Sequence, residues 1–274
     1  MTKPALFLLL GAVAMGQETP ATRFATDAPP LDELAAKIVA AYEGLDSLYI
    51  ESQIYEGKRN ISATETAELV FDEKAPLIAT VKSWMRPAHE LRTEVYVGDK
   101  LVWGMVSKAM EQGKSLAVQW NQRQITKPYP AGGLDNGRGW NLNDDVPGQC
   151  VLGWYVFSLV GGTEAKRDTL PSWLWKERIS GGKFEGHLKD VAGCECYCIS
   201  FAPGKSVLFK HYVDPKTFLV TQIDKVQLIQ TPGGKIAGVG SQRWTFKYEK
   251  VKVDPKQFDF PAPGEREEVE ARIH

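Results

Sequence analysis

Charge of either sign is nearly balanced: 33 Lys and Arg stand against 34 Asp and Glu in 274 residues, for a formal net charge of −1. Removing a leader that carries Lys3 makes it −1 − 1 = −2. That excludes the basic face by which proteins hold nucleic acid, and no polybasic stripe suits anionic headgroups. Cysteine and histidine are scarce, four of each. After the first residues no apolar run approaches the roughly 18 needed to cross a bilayer as a helix. No Gly-x-Ser-x-Gly elbow occurs, and His89, His187 and His211 are scattered, so a nucleophilic triad has no support. Gly161-Gly162 and Gly181-Gly182 lack the strand and helix context of a phosphate loop. No solenoid repeat is present.

What is present is 43% hydrophobic and 24% charged content, the composition of a folded globular chain. Residues 1–16 read as a secretory signal: Lys3 is the positive end, 5–15 the apolar run, and Ala12-Val13-Ala14 the small residues for cleavage. No Cys follows for a bacterial lipid anchor, so the expectation is an exported protein released as a soluble chain. Residues 17–30 read as a disordered tether. Pro29-Pro30 opens a helix over 31–45, with Leu31, Leu34, Ile38, Val39, Tyr42 and Leu45 on one stripe. A second helix is expected over 147–160, apolar nearly all round, and therefore buried or facing a hydrophobic ligand.

Between and beyond the helices, strands dominate. The stretch 77–128 holds apolar-alternating segments punctuated by Gly98-Asp99 and Gln112-Gly113-Lys114, the pattern of an antiparallel meander. Leu77, Val81, Met85, Leu91, Val95, Val97, Leu101, Trp103, Met105, Leu116, Val118 and Trp120 follow period two and predict one apolar face. Strands are also expected at 48–55, 61–71, 194–201, 206–213, 219–230 and 241–253. A phase change near Glu249-Lys250 suggests a bulge. The tail 265–274 is charged and expected to fray. A wide sheet, apolar on one side, must cover that side or leave it for a ligand.

Cys194, Cys196 and Cys198 share one strand face and cannot readily bridge one another. With a turn centred on Pro203-Gly204, Cys196 would lie opposite His211 and Cys198 opposite Phe209. That leaves open a Cys₃His zinc site, a disulfide from Cys150, or plain core packing. Export favours the disulfide, and no metal is expected. Asp144-Asp145 reads as a helix cap and Glu267-Glu268 as solvated tail, so no acid–base pair is expected.

Several runs, in order, resemble the superfamily of the periplasmic lipoprotein carrier LolA, with its LolB-like and RseB-like relatives. These are Leu45-Asp46-Ser47-Leu48-Tyr49-Ile50-Glu51-Ser52 after the first helix, the Arg86-Pro87 turn, and Gly98-Asp99-Lys100-Leu101-Val102-Trp103. Val213-Asp214-Pro215-Lys216-Thr217 and the closing Phe258-Asp259-Phe260-Pro261-Ala262-Pro263-Gly264 complete the set. The resemblance implies a single domain over 31–264. That domain would be mainly β with two helices, an incomplete antiparallel β-barrel of about eleven strands under a helical lid.

It also implies a monomeric, non-catalytic carrier or chaperone without cofactor, holding acyl chains of a lipidated protein or other lipid. An inner-membrane donor and an outer-membrane acceptor would be its partners. Arg86 falls where the superfamily places a lid latch. The slot would be lined by Leu34, Ile38, Tyr42, Trp84, Met85, Leu91, Val95, Trp103, Met105, Val118, Trp120, Val151, Trp154, Tyr155 and Leu159. The alternative on the same fold is an envelope stress sensor or protein-interaction module. The insert 163–182 and the cysteines depart from the superfamily pattern.

Overall fold

The computed structural model describes residues 23–24, 29–43, 47–60, 69–86, 90–109, 115–130, 183–191, 194–204, 206–232 and 235–270. The expected leader, second helix and 163–182 insert lie outside these residues, and with them the lid.

The first described helix, α1 (Leu31–Glu43), follows Pro29-Pro30, and the Leu34 amide donates to the Pro30 carbonyl at 2.9 Å. Leu34 and Ile38, four apart and so on one face, are fully buried. Glu33 and Lys37 pair at 2.8 Å on the exposed side.

The strands in chain order are β1 (Arg23–Phe24), β2 (Leu48–Asn60), β3 (Leu77–Arg86), β4 (Glu90–Val97), β5 (Lys100–Ala109), β6 (Ser115–Asn121) and β7 (Gln124–Thr126). They continue with β8 (Tyr129–Pro130), β9 (Lys183–Val191), β10 (Cys194–Gly204), β11 (Val207–Val213), β12 (Val220–Gln230), β13 (Ile236–Lys250) and β14 (Glu267–Val269). They form one sheet in the order β1-β9-β10-β11-β12-β13-β2-β3-β4-β5-β6-β7-β14, with β8 beside β6. Every pairing is antiparallel except β14 on β7. Among the described residues no pairing joins the two ends, so the sheet is open.

Turn chemistry sets the hairpins. Gly98 takes φ +58°, which costs nothing without a Cβ, and β4 reverses into β5 over two residues. Between β11 and β12, Asp214 accepts from the Lys216 amide at 3.0 Å and the Thr217 hydroxyl at 2.7 Å. The centre of the sheet is the unbroken ladder of β13 on β2, from Gly238 opposite Asn60 to Lys250 opposite Leu48.

Several expectations need correction. β13 carries no bulge at Glu249-Lys250; the phase changes only where the strand ends. Residues 69–72 are not strand. Arg23 and Phe24, within the expected tether, pair with Leu188 and His187. The charged tail does not fray at once: Glu267–Val269 form β14, Lys127 pairs with Glu270 at 2.6 Å, and Arg266 donates to the Asn121 carbonyl at 2.9 Å.

Candidate ligand-binding face

Period two divides the sheet into an inner face, where α1 packs, and an outer face. Cross-strand register arranges the inner face in rows. Leu48, Met85, Leu91, Ser107, Ala117 and Tyr129 form the first. Tyr248, Ile50, Ser83, Thr93, Met105 and Gln119 form the second. Phe246, Ser52, Val81, Val95 and Trp103 form the third, and Ile223, Trp244, Ile54 and Ala79 the fourth. The buried apolar members of these rows belong to one contiguous cluster with Leu34 and Ile38 of α1.

Its polar members fall into two groups. Some satisfy each other: the Ser83 and Thr93 hydroxyls meet at 3.1 Å, and Gln119 Nε2 donates to the Tyr129 hydroxyl at 2.7 Å. Burial pushes the Tyr129 phenol well above its usual range, against the opposing effect of that bond. Others have no partner among the described residues: Ser52 Oγ, Ser107 Oγ, Trp103 Nε1 and Trp244 Nε1 are buried and make no hydrogen bond there. Buried polar groups are ordinarily bonded, so four orphans on one face call for an explanation. His211 lies on the same face between Ile199 and Ile223, and burial holds its imidazole neutral, with the pKa lowered to about 3.

Of the predicted lining residues, the structure brings together Leu34, Ile38, Met85, Leu91, Val95, Trp103 and Met105. It separates Trp84, Val118 and Trp120 from them. In the β5–β6 register Ser107 faces Ala117 and Met105 faces Gln119, so Val118 and Trp120 point to the outer face. There they pack with Val106, Ile125, Val253 and Phe258, and Trp84 rests against the same cluster.

Arg86 also lies on this outer side, 5.8 Å from the Phe258 ring centroid and 3.2 Å from Glu90 Oε2. That contact is an ion pair, and Glu90 Oε2 accepts no hydrogen bond among the described residues. Arg86 therefore holds the C-terminal segment and does not sit under α1. Arg92 does the same, donating to the Gln257 carbonyl at 3.1 Å and lying over Trp120. The Tyr42 side chain and residues Cys150, Val151, Trp154, Tyr155 and Leu159 lie outside the described residues.

Sequence reasoning leaves Ile50, Ile54, Ser52, Trp244 and Phe246 out of the slot. The alternation in 48–54 and 244–248 is the signal that places them.

The cysteines are also re-sited. Cys198 pairs with Tyr212 while His211 faces Ile199, so the thiols and the imidazole are on opposite faces and the expected Cys–His alignment fails. Cys196 and Cys198 are thiols in this structure, fully buried with Tyr212, and Cys196 Sγ stands 3.6 Å from Thr221 Oγ1. Neither is a half-cystine here. The Cys194 side chain, like Cys150, lies outside the described residues. Among the described residues no three His, Cys, Asp or Glu side chains are grouped to hold a metal ion.

No protein-family model matches the chain, and no curated protein matches it. Similar solved structures include a LolA superfamily protein from Nitrosomonas europaea, 8% identical over 85% of this chain and 99% of that one, with a TM-score of 0.35. A DUF1329 family protein from Desulfovibrio piger is 9% identical over 84% of this chain and 95% of that one, with a TM-score of 0.33. MucB is 12% identical over 85% of this chain and 63% of its own, with a TM-score of 0.36. The Pseudomonas aeruginosa MucA/MucB complex is also similar.

Proposed function

We infer that this chain is an exported, periplasmic carrier or chaperone whose inner face holds acyl chains of a lipidated protein or another lipid. What supports the reading is the inner-face cluster itself. A single apolar surface extends from β10 to β6, is backed by a 13-residue helix, and includes buried polar groups that have no hydrogen-bond partner among the described residues.

The energetics are adequate without catalysis. Each buried CH₂ contributes roughly 0.8 kcal/mol, so ten or so methylenes approach the roughly −8 kcal/mol of micromolar binding before ordering costs. Leu34 and Ile38 pack α1 against the inner face, and a hydrocarbon chain would lie on that face alongside the helix. A donor at the inner membrane and an acceptor at the outer membrane complete the reading.

The test is titration of the mature protein with a fluorescent C16 fatty acid. Saturable binding, displaced by an unlabelled chain of equal length, is expected. No binding, together with no lipid extracted from the purified protein, overturns the reading.

A further inference from the structure

The unpartnered groups of the inner face lie on β13, β2 and β5, within five successive strands of the sheet. Ser52 and Trp103 share the third cross-strand row, through Val81 and Val95. Trp244 stands one row along on β13, opposite Ile54, two residues from Ser52 on β2. Ser107 is four residues from Trp103 on the same face of β5. Trp103 is 5% exposed and Trp244 4%, so neither indole N–H reaches bulk water. A purely hydrocarbon ligand would leave both donors unsatisfied, and a buried orphan donor costs about as much as a lost hydrogen bond. An indole N–H only donates, so what completes it is an acceptor oxygen carried into the apolar face. Phenylalanine at either position would keep an aromatic ring, of smaller volume, without the donor.

We propose that Trp103 and Trp244 are hydrogen-bond donors to the ester carbonyl oxygens of an acylated glycerol, and that the inner face selects ester-linked chains over plain or ether-linked ones. The Ser52 and Ser107 hydroxyls lie on the same face and can donate to a second carbonyl or glycerol oxygen. The inference rests on the reading of this face as an acyl site and adds the chemistry of the linkage.

The test compares 1,2-dipalmitoylglycerol with 1,2-di-O-hexadecylglycerol, which has the same chains and free hydroxyl but no carbonyl, on the full mature protein. The wild type is expected to bind the ester about fivefold or more tightly per engaged donor. Trp103→Phe and Trp244→Phe should each reduce that preference, read as the ratio of ester to ether Kd within each variant. As a readout independent of the variants' folding, the indole N–H resonances of Trp103 and Trp244 in the wild type should move downfield with the ester and not with the ether. Equal binding of both lipids with unmoved indole resonances means the donors are met by water alone; it overturns this proposal and leaves the acyl-binding reading standing. Binding of neither lipid removes both.

Discussion

Arg243 on β13 and Asp224 on β12 face each other as a two-pronged pair, Nε to Oδ1 at 2.7 Å and Nη2 to Oδ2 at 2.8 Å. Burial works against the Arg243 charge, but bonds to Asp224 and Glu73 outweigh it and hold the guanidinium above its ordinary range. Asp224 also accepts from Gln222 Nε2 at 3.0 Å and the Tyr212 hydroxyl at 3.3 Å, and Arg243 lies 3.8 Å over the Phe71 ring. This network fastens residues 71–73 to the outer face. Removing Arg243 strands a 4% exposed carboxylate. Arg243→Met should therefore cost about 3 kcal/mol or more, as for other broken buried pairs, in urea unfolding followed by circular dichroism. Glu73→Gln, at a carboxylate 74% exposed, should cost under about 1 kcal/mol. Equal costs would show that the network is not what holds this segment.

Much of this fold is legible in local pattern. The Gly98-Asp99 turn, the Asp214 turn, α1 and the strands from 77 to 109 follow from period and turn chemistry alone. What escapes local reading is which apolar phase faces which partner. Val118 and Trp120 look like members of the inner set because they are the apolar phase of β6, while that strand's inner phase is the small Ala117 and the polar Gln119. Their cover is residues 251–260, more than 130 positions away, held by Asp254 capping the 3-10 helix Pro255–Phe258. A remote strap of this kind leaves no trace in the periodicity of β6. Trp84 and Arg86 are on the outer side for the same reason.

His211 gives the protein a measurable acid limb. Its imidazole is neutral when folded, with the pKa lowered by burial to about 3 from 6.5. Between those values the unfolded chain takes up a proton that the folded chain does not. Stability is thus fully present above pH 6.5 and falls as pH drops toward 3, by about 1.4 kcal/mol per pH unit at most. His211→Gln should remove this slope, so that the wild type's stability falls relative to the variant's as pH drops through that window. Parallel curves from pH 7 to pH 4 would contradict a buried neutral imidazole.

Gly104 is required by a neighbour and not by its own backbone. It sits opposite Trp120 across β5 and β6, and a Cβ there would overlap the indole ring. Gly104→Ala should destabilise by about 1–3 kcal/mol through overpacking. The double variant with Trp120→Leu should lose much less than the sum of the two single costs, because the clash is relieved. Additive losses in a double-mutant cycle would show that Gly104 does not make room for Trp120.

Phe258 is fully buried among Val106, Val118 and Trp120 and carries Arg86 over its ring. Phe258→Ala should cost about 3–5 kcal/mol, the range for deleting a buried aromatic, and shift Trp120 emission to the red as water enters. Acyl binding, measured at a temperature where the variant stays folded, should be unchanged, since the proposed ligand face is the other side of the sheet. Arg86→Leu should behave alike in direction, with a smaller loss of stability and unaltered ligand exchange. If Arg86 instead latches a lid over the acyl slot, exchange would quicken while stability held. The two outcomes separate a strap on the outer face from a gate on the inner one, and the 5.8 Å approach of Arg86 to Phe258 favours the strap.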